Sequence, residues 1–376
     1  MTRSPNRKSG RKVRYAVIGQ GAIAQMAVLP AFSHARSNSQ LVALVSGDPR
    51  KLSVLGRRYK IKRLCGYADL DELYESGEVD AVYIALPNTM HEAYTLQAAK
   101  AGLHVLCEKP MAVSTASCRR MIDVCRRQGV KLMIAYRLHF ERATLEAIAV
   151  ARSGKLGRLR FFSSQFSMQV KDRANIRLDR ERGGGPLLDI GIYCINAARA
   201  LFQSEPIAVQ AIDATSRDSR FREVPESVAC LLDFGRGRVG SFVCSFGAGD
   251  TAAFQFVGTK GSLHMESAYE YATPPTFDLR VGESKTKHQF KKSDQFAPEL
   301  LYFSECVLRN REPEPSGAEG MADVAVIEAL QRAMVSGRKV VVKSAGLRLR
   351  RPSLRQERRK PAIRKQKLIH ARAATD

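Results

Sequence analysis

The chain contains no tryptophan. It has eight cysteines, at 65, 107, 118, 125, 194, 230, 244 and 306, but no C-x-x-C pair and no clustering of cysteine with histidine. Several sit inside apolar periodic segments, where a free thiol behaves as a small buried hydrophobe. Neither disulfides nor structural zinc are therefore expected, and no metal site is assigned. No apolar run reaches the roughly 18 residues needed to span a bilayer. The basic stretch 1–12 is followed by an apolar run, 13–19, too short for a signal-peptide core and ending in a glycine turn, so a cytoplasmic protein is expected.

Acidic residues are missing from the ends. Residues 1–14 carry six basic and no acidic side chains, and residues 343–376 carry twelve basic and two acidic ones. The two ends therefore hold sixteen of the formal net charge of +24. No helix-turn-helix, zinc-finger or RNA-binding signature accompanies them, so polyanion binding is at most an accessory property.

What is present points elsewhere. A length of 376 residues suits two domains, and 44% apolar with 26% charged residues is ordinary for a globular protein. Residues 13–18 form a β-branched strand that runs into Gly19-Gln20-Gly21-Ala22-Ile23-Ala24, a G-x-G-x-x-A pattern. Gly19 allows the tight turn, Gly21 lets the backbone approach a pyrophosphate, and Ala24 lets the helix pack on the strand. Following a strand, opening a helix and preceding a second strand at 41–45, the motif reads as a dinucleotide site rather than a structural turn. After that second strand come Ser46-Gly47-Asp48-Pro49-Arg50-Lys51. A hydroxyl and a cation suit a 2′-phosphate, and Asp48 is better read as the N-cap of a helix beginning at Pro49. NADP is favoured over NAD.

Alternation continues through helices at 49–59 and 69–75, a strand at 81–85, the loop Pro87-Asn88-Thr89-Met90-His91, a helix at 92–101, and a strand ending in Cys107-Glu108-Lys109-Pro110. Ligands of open α/β sheets sit outside the carboxyl ends of the strands, where Lys109 is delivered. From Tyr136 the alternation stops and strands dominate, at 159–169, 207–214, 227–234, 238–246, 253–258 and 262–266, with a late helix at 318–336 and a strand at 340–342. The fold class is α/β: a doubly wound Rossmann domain plus an α+β domain with a large, mostly antiparallel open sheet. Between the first two strands of the second half, Gly183-Gly184-Gly185-Pro186 sets a helix start that can approach a ligand, and Asp189 and Tyr193 share one helix face as a proton-handling pair.

In order, G-x-G-x-x-A, P-N-x-x-H, E-K-P, Y-R, G-G-G-x-L-x-D-x-G-x-Y and G-T-K-G resemble the glucose–fructose oxidoreductase, inositol dehydrogenase and rhizopine-catabolism family (Gfo/Idh/MocA) over residues 13–342. The likeness is to the glucose–fructose oxidoreductase branch, where Tyr replaces the His that other members carry at position 193. The resemblance implies catalytic positions at Lys109, Asp189 and Tyr193. It also implies a cofactor site in which Gly19, Gly21, Ala22 and Ile23 hold the pyrophosphate and Ser46 and Lys51 the 2′-phosphate. Leu86, Pro87, Asn88 and His91 would line the ribose–nicotinamide side, with Glu108, Lys109, Arg137 and Arg177 nearby. Two departures stand out. Ile176 replaces an aromatic lid residue, and Phe140 replaces a tyrosine, removing a possible substrate hydrogen bond.

The expected function is NADP-dependent hydride transfer between nicotinamide and a sugar or polyol, of aldose/lactone type. Tyr193 is the expected proton donor or acceptor. The charge of Lys109 would favour the ionised phenol and bond the reacting oxygen, and Asp189 would orient that pair and bind a substrate hydroxyl. The alternatives are a dehydrogenase or reductase of inositol or another cyclic diol using free NAD(P), and a non-catalytic nucleotide-binding regulator. The expected organisation is a basic arm (1–12), a Rossmann domain (13–137), a substrate and oligomerisation domain (138–342), and a basic, disordered tail (343–376). A homodimer or homotetramer would form through the second sheet. Self-repulsion and few apolar groups argue for the disorder. Leu347, Leu349, Leu354 and Ile363 offer a docked helix as the less favoured alternative, and catalysis is not expected to need the tail.

Overall fold

The computed structural model describes residues 10–343 and 352–372. Six parallel strands form the first sheet: β1 Val13–Ile18, β2 Ser39–Val45, β3 Arg63–Cys65, β4 Ala81–Ile84, β5 His104–Glu108 and β6 Leu132–Ala135, in the order β3-β2-β1-β4-β5-β6. The order reverses between β1 and β4, so the crevice opens outside their carboxyl ends. Strands β4 and β6 are buried along their whole length, as expected where helices cover both faces of a parallel sheet. The first crossover helix contains a π-helical turn, Ala24–Val28, running into Leu29–Ala31. Pro30 lies just beyond that turn and cannot donate a backbone hydrogen bond there.

The second sheet has nine strands, β7 Leu159–Ser167, β8 Ala208–Asp213, β9 Ser227–Asp233, β10 Val239–Ser245, β11 Thr251–Gly258, β12 Gly261–Glu266, β13 Thr276–Val281, β14 Ser284–Gln289 and β15 Val340–Val341. Their order is β14-β13-β12-β11-β7-β10-β9-β8-β15, antiparallel except for the β7–β10 pair. Its strands alternate between a buried inner face and an outer face that exposes Phe161, Ile212, Leu231, Val239 and Val243. All eight cysteines are free and buried. Among the described residues no helix is long and apolar enough to cross a membrane.

The structure departs from the expected organisation in three ways. Strand β3, three residues long, was given no bounds, and strands β13 and β14 were not anticipated; β14 is almost fully exposed and polar. The helix Ala297–Leu308 was also missed, and it does not belong with the second sheet. It covers the outer face of the Rossmann sheet, where the Ser304 hydroxyl bonds those of Tyr15 (2.7 Å) and Ser39 (2.8 Å), so residues 138–342 are not one separate unit. Finally, within the segment expected to be disordered, residues 352–372 lie on the body. Ile363 and Ile369 pack on the core of the Rossmann half, and Ser293 and Pro361 form a β-bridge. Among the described residues of the segment no long helix forms, in line with the interruptions at Pro352 and Pro361. Leu347, Leu349 and most of the basic amino-terminal arm lie outside the described residues.

Candidate active site

A cleft of about 1290 Å³ runs between the two halves along the carboxyl ends of β1, β2, β4 and β5. Gly19 (φ +93°) opens it: a Cβ here would sit 2.3 Å from the Ala85 carbonyl oxygen, so glycine is what lets the first turn pass the end of β4. A Cβ on Gly21 would meet nothing within 4 Å, leaving open space at the start of the following helix. The Oε1 atom of Gln20 is buried at the same wall and has no partner among the described residues. A glycine turn, a helix start and an open wall fit a dinucleotide pyrophosphate.

At the end of β2, Asp48 caps the helix Pro49–Tyr59, accepting from the backbone of Arg50 (2.9 Å) and Lys51 (3.1 Å). Ser46 accepts from the Asp48 backbone N–H at 3.1 Å and keeps its own hydroxyl proton to donate. Both Ser46 and Lys51 line the cleft, with Gly19, Gly21, Ala22, Ile23, Leu86, Pro87 and Asn88. A neutral donor and a cation, beside a carboxylate committed to capping, suit the 2′-phosphate of NADP better than a bare ribose.

The chemistry concentrates where β5 ends. Lys109 donates to the Asp189 carbonyl (2.7 Å) and to Asp189 Oδ1 (3.0 Å), while Arg177 Nε donates to Asp189 Oδ2 (2.6 Å). Burial alone would push the Asp189 carboxyl up, but Arg177 and Lys109 hold it well below the usual carboxylate range. Burial likewise opposes the Lys109 ammonium, and Asp189, Tyr193 and Glu108 together raise it above its ordinary value. The ammonium lies 4.8 Å from the centroid of the Tyr193 ring, on whose face the Arg137 guanidinium also sits, at 5.1 Å. Lys109 therefore sits over the ring and does not bond its hydroxyl. Arg137 is held by Gln295 and the Tyr269 carbonyl. Glu108 turns inward to accept from the Tyr83 hydroxyl at 2.8 Å, and burial raises its carboxyl against the pull of Lys109.

Three expectations change. His91 is fully buried and does not line the cleft; its ring spans the carbonyls of Pro110 (2.8 Å) and Leu86 (2.9 Å), tying two strand-end loops together. Phe140 packs against Tyr302, away from the cleft, so its lack of a hydroxyl has no bearing on substrate. The glycines at 183 and 184 line the cleft, but they also make close protein contacts that were not foreseen. A Cβ on Gly183 would meet Asn88 at 2.8 Å and one on Gly184 the Arg177 carbonyl oxygen at 2.4 Å, which is how the Asp189 segment is drawn onto the Rossmann loops. Ile176 does stand at the cleft, 42% exposed. The wall also includes Tyr271 and residues not foreseen: Tyr67, Phe166, and His370 with Arg372 from the carboxyl-terminal segment. Sequence separation hides the last pair.

A Rossmann half whose glycine turn faces a lysine–aspartate–tyrosine cluster across one cleft defines an oxidoreductase of the dinucleotide-dependent class. Residues 13–136 match the oxidoreductase family with NAD-binding Rossmann fold, GFO_IDH_MocA, and residues 144–264 match the GFO/IDH/MocA C-terminal domain. D-xylose 1-dehydrogenase (NADP(+)) of Haloarcula marismortui is 31% identical over 85% of this chain and 91% of its own length. The structure of aldose-aldose oxidoreductase from Caulobacter crescentus, complexed with glycerol, matches with a TM-score of 0.84 and 38% identity over 88% of this chain and 100% of that one. A 3-ketoreductase from Actinomadura kijaniata, in complex with NADP and TDP-benzene, matches with a TM-score of 0.79 and 26% identity over 86% and 98% of the two chains. The chain belongs to the GFO/IDH/MocA oxidoreductase family.

Proposed function

We propose that this protein is an NADP-dependent oxidoreductase moving a hydride between nicotinamide and the anomeric carbon of an aldose or its lactone. The observation that carries the reading is the Lys109–Asp189–Tyr193 cluster at the carboxyl end of β5, in the cleft that Gly19, Ser46 and Lys51 line. The relatives named for aldoses and for D-xylose support the sugar class. Bound in the cleft, nicotinamide would supply or accept the hydride. The protein's part is to orient and to manage a proton. Gly21, Ala22 and Ile23 would hold the pyrophosphate, Ser46 and Lys51 the 2′-phosphate, and Leu86, Pro87, Asn88 and Arg137 the nicotinamide side.

Asp189 is the positioning residue. With both oxygens engaged and the carboxyl held ionised, it fixes Lys109 and keeps it charged. An ammonium has three protons and Asp189 takes two, so one remains for a sugar oxygen. The Tyr193 side chain faces the cleft, and its hydroxyl makes no hydrogen bond among the described residues, which leaves it free to exchange a proton with that oxygen. The outer face of the second sheet, with Ile212, Ala229 and Val243 in register on neighbouring strands, is the surface through which a homodimer or homotetramer would form.

A panel of aldoses, inositols and cyclic diols assayed with NADP and with NAD tests the reading. Turnover of an aldose with NADP, and NADP binding at least about tenfold tighter than NAD (about 1.4 kcal/mol), is expected. Ser46→Asp should narrow or reverse that preference, because a carboxylate repels a 2′-phosphate and accepts from a 2′-hydroxyl. Equal affinities in the parent protein would refute the assignment of Ser46 and Lys51, and turnover of cyclic diols alone would move the substrate class.

A further inference from the structure

The carboxyl-terminal segment is a basic, apolar-poor stretch that composition alone would leave unattached, yet it follows a defined course over the body. The Asp294 backbone N–H donates to the Lys360 carbonyl (3.1 Å), and Arg58 donates to the carbonyl of Lys367 (3.0 Å). Ile363 and Ile369 pack on the core cluster of the Rossmann half. The segment then reaches the cleft, where His370, Ala371 and Arg372 share its wall with Gly21, Ser46 and Lys51.

Two observations say that the body is built for this course. The first is Gln25, fully buried in the helix that follows the glycine turn. Its amide N–H group donates to the Ile369 carbonyl (2.9 Å) as well as to the Gln20 carbonyl (2.9 Å), and its oxygen accepts from the Ile369 N–H (2.8 Å). A buried amide needs such partners, and the tail backbone supplies them in a reciprocal pair. The second is the pair of carboxylates that receive the end of the segment. His370 Nδ1 lies 2.7 Å from Asp48 Oδ2, and Arg372 donates to Asp172 Oδ2, also at 2.7 Å. Asp48 belongs to the Rossmann half and Asp172 to the loop after β7, so the last described residues bridge the two walls of the cleft. The His370 contact is also the largest of the influences that lower the Asp48 carboxyl, and it occupies the oxygen that helix capping leaves over.

We propose that residues 363–372 form a strap across the adenosine end of the cofactor cleft. In it, Gln25 is the anchor for Ile369, and the His370 ring and the Arg372 guanidinium place polar nitrogens beside the 2′-phosphate position. The proposal rests on the assignment of Ser46 and Lys51 to that phosphate. With the strap docked, a dinucleotide leaves only after the Ile369 backbone pair and the bridge from Asp48 to Asp172 have opened. Cofactor release is thus slowed by the strap, and the 2′-phosphate form is held longer than the form that lacks it. Asp48, covered by His370, is also kept from accepting a bare 2′-hydroxyl, which works in the same direction.

The test uses the full-length protein and the fluorescence of the reduced cofactor itself, excited directly. NADPH and NADH dissociation rates are measured by displacement with excess oxidised cofactor, together with thermal midpoints without cofactor. Ile369→Asp removes the apolar anchor, and the double variant His370→Ala/Arg372→Ala removes both polar side chains at the cleft wall while leaving the Gln25–Ile369 pair. Ile369→Asp is expected to speed release of both cofactors about tenfold or more. The double variant should speed NADPH release at least about fivefold and NADH release less than about twofold. Unchanged NADPH release in both variants, or slower release in either, overturns the strap. If Ile369→Asp lowers the thermal midpoint, the double variant, whose changes are confined to the cleft edge, decides. Should the parent protein hold NADPH and NADH equally, the 2′-phosphate assignment fails, while faster release of both from Ile369→Asp would still establish the strap.

Discussion

Two clusters of cations and carboxylates lie on neighbouring elements of this protein, and they are opposite in composition. At the cleft, one carboxylate, Asp189, is shared by two cations, Lys109 and Arg177. About three turns further along the same chain direction, inside the helix Ile192–Phe202, one cation, Arg199, is fully buried among Glu205, Glu319 and Asp323. Excess positive charge holds the Asp189 carboxyl far down. In the acid-rich cluster burial outweighs the pull of Arg199, Glu319 adds repulsion, and Asp323 is pushed up to about 6. Both clusters perturb their acids, so perturbation alone does not mark the reaction site. What separates them is access. The Asp189 cluster faces the cleft beside an unbonded Tyr193 hydroxyl, whereas the Arg199 cluster joins helix Ile192–Phe202 to helix Gly317–Ser336 out of contact with any cavity wall described here.

The comparison breaks most visibly if Arg199 is removed. Arg199→Met would leave three carboxylates around an uncharged side chain and should destabilise the protein by about 3–5 kcal/mol, read from urea unfolding. Turnover per folded molecule should stay within about twofold. A large loss of turnover in the folded fraction would place the buried cluster in the reaction after all.

At the cleft the expectation is reversed. Tyr193→Phe and Lys109→Ala should each lower kcat by about 10²-fold or more on the true substrate, the scale of lost acid–base assistance, with cofactor affinity nearly intact. Full turnover by Tyr193→Phe would transfer the proton role to another group.

The finest contrast is in pH. Asp189 has a folded-state pKa below its unfolded one, so its contribution to stability is complete above the ordinary aspartate value, about 3.9, and is lost as pH falls below it. Asp323 has the opposite sign. Its folded form keeps a proton that the unfolded chain has released, so its contribution falls as pH rises from about 4 to about 6. Asp323→Asn should flatten that decline in a series of urea midpoints, and Asp189→Asn should leave it in place while removing part of the loss at lower pH. Identical profiles for the two variants would mean that the clusters do not differ as described.

Much of this was legible in the residues. The G-x-G-x-x-A turn, the parallel strands, the capping by Asp48 and the delivery of Lys109 at the end of β5 depend on neighbours within one or two elements, so periodicity and short motifs report them. Asp189 and Tyr193 could be paired because four residues place them on one helical face. The Arg199 cluster was invisible, since Glu319 and Asp323 stand 120 and 124 residues away and each looks like an ordinary surface acid. His91 showed the limit from the other side: a motif residue in the right loop, yet turned inward to two carbonyls.

By itself, then, the sequence determined the two-half α/β architecture, the dinucleotide turn, and the residue types gathered for the chemistry. Only the tertiary structure decided that the helix Ala297–Leu308 covers the Rossmann sheet and that Arg177 shares Asp189 with Lys109. It alone brought Gln25 to Ile369 across 344 residues and His370 to Asp48 across 322. The physical reason is range. Backbone preferences and hydrophobic periods act between residues a few positions apart and leave a pattern that can be read along the chain. A buried amide or an ion pair is satisfied by whatever the fold brings within about 3 Å, and nothing in the local sequence records which partner that will be.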